Sequence, residues 1–144
     1  MSASHERTLP DTITPALAFE KKLAGLYKAF IKTAIGITLT FGTAWGAHIL
    51  AKIALRQSFD APNYAGTQAH GHAQIYGWVG LFIMGVALFS VPKFMQARMR
   101  ALAPAWTVFG LMVAGILLRA IAQPLAAQPV FGWLLLGSAI LELM

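Results

Sequence analysis

The chain contains no cysteine, which excludes disulfides, thiolate metal sites and thiol nucleophiles together. Charge is scarce as well. Asp, Glu, Lys and Arg make up 11% of the 144 residues, where a water-facing surface needs about a quarter. Acidic residues are the rarer kind, five against eleven basic. No HExxH or GxSxG pattern and no Ser-His-Asp set appears, so nothing supports a hydrolase. Nor do the first thirty residues form a cleavable signal: they carry Glu6, Asp11 and Glu20 and lack a short apolar core with a small-residue cleavage site. In place of charge, 58% of the chain is hydrophobic, gathered into blocks rather than stripes. Blocks of about 20 apolar residues are what a bilayer core requires. The expectation is an integral membrane protein. The net charge of +6 does not point to nucleic acid, because the basic residues flank the apolar blocks and act as topology signals there.

The predicted fold is an all-α, polytopic transmembrane helical bundle with three clear spans and a partial fourth. Residues 1–15 are polar and carry helix breakers, so a disordered or surface tail is expected. Residues 16–32, "ALAFEKKLAGLYKAFIK", are amphipathic: Leu17, Leu23, Leu26, Tyr27 and Phe30 fall near one side, with Lys21, Lys22, Lys28 and Lys32 largely elsewhere. They suit an interfacial helix lying on the membrane. They equally suit the basic start of one long helix. The transmembrane domain, 33–144, has spans near 33–55, 70–91 and 106–122, and a fourth block from about Val130 that is short of a full crossing. That shortness suggests the front part of a longer parent chain. Gly42 and Gly46 in the first span have the small-xxx-small spacing of close helix contacts. Lys and Arg favour the N-terminal flank and the loop holding Lys93, Arg98 and Arg100. The N-terminus is therefore expected in the cytoplasm, most naturally across a bacterial inner membrane.

On that topology the unusual polar residues gather in one leaflet, the outer. His48 lies in the outer half of the first span, His70 and His72 at the mouth of the second, and Arg119 and Gln123 at the end of the third. Gln68 belongs to the same level, and Glu142 sits at mid-depth on the fourth segment. Ionisable groups inside a membrane cost about 2.5 kcal/mol or more each and usually mark a pair or a site. His72 and Tyr76 share a helical face, as do Gly115, Arg119 and Gln123. His70 and His72 are about 200° apart and cannot both face one partner. A histidine facing a slot of aromatic, Met and Gly residues suits haem iron, and an arginine nearby suits its propionates. Each residue also has a plainer reading: interfacial His70 and His72, an interhelical bond for His48 or Glu142, an anchor for Arg119, and packing for the glycines. His5, in the polar tail, has no assigned role.

The stretch "HGHAQIYGWVGLFIMGVALFSVPKF", followed by "GILLRAIAQPLA", resembles the second-helix region of membrane haem proteins of the haem-copper oxidase catalytic-subunit superfamily. Within it the closest likeness is to the C-type oxidase and nitric oxide reductase branch and to NnrS-like proteins. His72, Ile75, Tyr76, Gly77 and Trp78 match the start of that helix, and Val91, Pro92 and Lys93 its exit. The likeness covers roughly residues 46–126. It implies haem b, an axial-ligand role for His72, with His70 as the alternative two residues away, and a respiratory-type system of electron transfer or oxygen or nitric oxide chemistry. That family uses about twelve helices, and its remaining ligands come from later ones. The chain is thus expected to join other membrane subunits, belong to a longer parent chain, or clamp one haem between His48 and His72. Two readings from other classes remain: a haem-free accessory subunit of a larger respiratory or photosynthetic complex, and a transporter piece, for which no inverted repeat appears.

Overall fold

The computed structural model describes residues 13–97, 99 and 101–144. Every regular element among them is helical. Four helices result: α1 (Pro15–Arg56), α2 (Tyr64–Phe94), α3 (Ala103–Leu125) and the shorter α4 (Pro129–Leu143). The first three are long and apolar enough to cross a membrane, as an all-α integral membrane protein requires.

Of the two readings of residues 16–32, the structure takes the continuous one. That stretch runs unbroken into the first span, and its apolar stripe is buried: Leu23, Leu26, Phe30 and Ala34 are all 5% exposed or less. The stripe meets α2. A Cβ placed on Gly85 would lie 2.6 Å from Phe30 Cβ, and one on Gly77 would lie 2.5 Å from Ile37 Cγ2. Two knobs two turns apart on α1 thus enter two glycine notches two turns apart on α2. Lipid tails are as apolar as the side chains, so such close van der Waals fit, rather than escape from water, holds membrane helices together. The pairing is antiparallel, with Tyr27 against Phe89 at one end, ring centroids 5.1 Å apart. α3 lies in the groove of this pair, Phe109 edge-on to Phe30 at 4.8 Å and Ile116 beside Gly77. α4 returns along α3, with Ser138 and Glu142 filling the space left by Gly115.

Two segments depart from regular α-helix. Thr38–Gly42 in α1 and Ala73–Gly80 in α2 are π-helical. Such wide turns are rare and cluster at functional sites. Thr43 Oγ1 donates to Thr38 O across the first, at 3.0 Å. The start of α2 also differs from the sequence expectation. Asn63 caps it, its Oδ1 accepting from Gly66 N at 2.8 Å, so the helix begins well ahead of the apolar block. His70 and His72 are therefore inside α2, two turns or so from its start, and not at its mouth.

Candidate functional site

The 200° between His70 and His72 sends them to different neighbours. His70 turns to α1. Its Nδ1 lies 2.8 Å from Gly42 O, the last carbonyl of the π-helical segment. A carbonyl only accepts, so Nδ1 carries the proton and donates it, which leaves Nε2 as the ring nitrogen free for another partner. The ring lies over Gly46, where a Cβ would come within 3.0 Å of His70 Cε1. Gln74, one turn on, lies against Gly42 in the same way, its Nε2 2.8 Å from the Cβ position there. The two glycines of "GTAWG" therefore do not bring two backbones together. They make room for two polar side chains of α2.

His72 turns the other way, to α4. Its Nε2 lies 3.1 Å from Glu142 Oε1 and 3.0 Å from Oε2, with both side chains about nine-tenths buried. The imidazole and the carboxylate are each other's polar partner, and each offsets the other's cost of leaving water. Tyr76, a turn along, stacks on the His72 ring at 4.4 Å and 20°. Gly115 is what lets this happen: a Cβ there would lie 2.6 Å from Glu142 Cγ. The space beside Gly115 is taken by Glu142.

A third set extends the α3 side. Arg119 Nε donates to Gln123 Oε1 at 3.1 Å, and Gln123 Nε2 donates to Gln68 Oε1 at 2.6 Å. Gln123 is 4% exposed, so this chain is a buried polar link from α3 to α2. Gln68 and His72 are one turn apart, which places Arg119, Gln123, Gln68, His72 and Glu142 along one seam between α2, α3 and α4.

The residues expected at one end of the bundle are thus divided by α2 into two half-sites. His70, Gly42, Gly46 and Gln74 lie between α1 and α2, and the seam lies opposite. His48 joins neither: it is exposed on α1, its ring edge-on to Trp45 at 5.6 Å. No contact brings it to His72, whose Nε2 is held by Glu142. Among the described residues no group of three His, Cys, Asp or Glu comes together to hold a metal ion. His5 lies outside the described residues.

Sequence reasoning passes over Gln74 and Thr38. Gln74 is a polar amide four residues after His70 in an otherwise apolar run, and that spacing is its signal. Thr38 Oγ1 is buried with no hydrogen-bond partner among the described residues, a cost that only the packed structure reveals. No family model, no curated protein and no solved structure matches the chain.

Proposed function

We propose that this chain is a haem-binding membrane subunit of a respiratory-type electron-transfer or diatomic-gas system, with His70 as its axial ligand. One observation carries the choice of residue: the bond from His70 Nδ1 to the Gly42 carbonyl. Histidines that ligate metals characteristically donate the other ring N–H to a carbonyl or carboxylate, which fixes the tautomer and the ring plane. His70 has that arrangement with Nε2 left as the donor atom. His72 would have to give up Glu142 to offer the same nitrogen. The role that the family resemblance assigns first to His72 therefore moves to its alternative.

A haem held by His70 would supply one-electron transfer or the binding of a small gas. The chain's own part is positioning. Gly42 orients the imidazole and Gly46 leaves the ring room. The propionate role expected of Arg119 would fall to the terminal guanidinium N–H groups that its Nε bond to Gln123 leaves over, on the α3 side of α2. A second ligand would then be looked for on a partner subunit or a longer parent chain, since His48 lies exposed on α1. The proposed setting is a bacterial inner membrane with the N-terminus in the cytoplasm, supported by the Lys and Arg of the N-terminal flank and the loop after α2.

The haem-free accessory-subunit reading has its own support: in the seam, His72, Glu142, Arg119, Gln123 and Gln68 already satisfy one another. A reduced-minus-oxidised absorption spectrum of the purified protein separates the two. The haem reading expects a b-type signal that His70→Ala abolishes, and that His48→Ala and His72→Ala retain. A well-folded wild type with no such signal decides for the accessory subunit. Loss of the signal only in His72→Ala returns the ligand role to His72.

A further inference from the structure

The buried positions of α1 keep a helical step as far as Ile37 and then break it. Leu23, Leu26, Phe30, Ala34 and Ile37 follow one another by three or four residues, each 5% exposed or less. The next buried position is Gly42, five further on. Between them lies the π-helical segment Thr38–Gly42, closed by the Thr43 N–H donating back to Thr38 O. A π-helical turn takes one residue more than an α-helical one, so everything after it is turned by about 100°. The consequence falls on the site. Phe30 and His48 are eighteen residues apart, which at about 100° per residue is five whole turns of unbroken α-helix. Without the extra residue, His48 would stand on the face that Phe30 sets into the Gly85 notch of α2. Gly42 and Gly46 would lie about 120° and about 160° from that face. The structure has the reverse: Gly42 and Gly46 meet Gln74 and His70, and His48 is exposed.

We infer that the extra residue of Thr38–Gly42 is the specificity-determining element of the half-site: it decides that His70, and not His48, is the imidazole seated between α1 and α2. It does so by turning the Gly42 carbonyl and the Gly46 notch toward α2, where His70 takes both. That the seated imidazole holds haem rests on the reading above; the phase of α1 does not. Leu39 is the residue to remove. It lies inside the π-helical segment and is 67% exposed, so it contributes to the residue count and little to packing.

The test compares Leu39→Ala, which keeps the count, with deletion of Leu39, which removes the extra residue, in the purified full chain in detergent. The chain has no cysteine, so a disulfide between Gly42→Cys and Gln74→Cys reports the phase of α1 without any haem. It should form in the Leu39→Ala background and be lost in the deletion, where the Cβ at position 42 points away from α2. His48→Cys, labelled by N-ethylmaleimide in the Leu39→Ala background, should be protected in the deletion. In the b-type spectrum, Leu39→Ala should keep the His70-dependent signal and the deletion should lose it. A Gly42→Cys/Gln74→Cys disulfide or a His70-dependent signal that survives the deletion overturns the inference. Should the deletion not fold, disulfides in the full-length chain decide. Gln74→Cys pairing with Gly42→Cys supports the inference, and pairing with Phe41→Cys instead would mean an unbroken helix and overturns it. A wild type without haem sinks the haem reading alone, and the disulfides still judge the phase.

Discussion

Glu142 is where the polar chemistry of α4 is concentrated, and its worth depends on what His72 is left with. Glu142→Gln keeps an amide able to bond the imidazole, so stability should change little. Glu142→Leu leaves His72 Nε2 buried and unpaired beside α4, a loss of about 1–3 kcal/mol. Unfolding in mixed micelles, followed by helical circular dichroism, measures the difference between the two variants; equal losses would mean that the carboxylate itself, and not a hydrogen bond an amide can replace, holds His72. Thr38 offers the converse case. Its hydroxyl is buried without a partner among the described residues. Thr38→Val keeps the shape and removes the orphan group, and should raise stability by about 1 kcal/mol. A fall in stability in the same assay would reveal a bound water or ligand on that hydroxyl.

Among the elements, α2 organises the bundle through its glycines. Gly85→Ala puts a methyl within 2.6 Å of Phe30 Cβ, part of a side chain that cannot swing away. The expected cost is about 1–3 kcal/mol, seen as a lower thermal midpoint in detergent, while Gly25→Ala, which meets open space inside a helix, should raise stability by about 0.5–1 kcal/mol. The spans were legible in the sequence because a bilayer demands long apolar blocks. So was the divergence of His70 and His72, which follows from 100° per residue. The start of α2 is harder to see in the sequence, although its signal is there. Residues 64–69 are too polar to count as part of an apolar block, and they are helical because Asn63 caps them. The partner of His72 was out of reach for a different reason: Glu142 is seventy positions away, and only the packing of α4 on Gly115 selects it. The amphipathic stripe of residues 16–32 fits a membrane surface and a neighbouring helix equally well, since both reward one apolar face. Phe30 in its glycine notch decides for the helix.

For the molecule as a whole, the chain lacks cysteine, which makes its proposed orientation directly measurable. Ser58→Cys and Gln128→Cys sit in the exposed turns at the histidine end, and Gln96→Cys at the lysine end. With the N-terminus in the cytoplasm, a membrane-impermeant maleimide added to intact cells should label the first two. It should label Gln96→Cys only after permeabilisation. The opposite pattern would invert the orientation and leave the bundle as it is. The placement of His70 and His72 on opposite sides of α2 also has a mechanical consequence. Each tethers the helix to a different neighbour, His70 to the α1 carbonyl and His72 to the α4 carboxylate, as two stays on opposite sides hold one mast. A twist of α2 about its own axis has to strain both tethers at once. Releasing either leaves the helix held from one side only, free to turn toward the tether that remains.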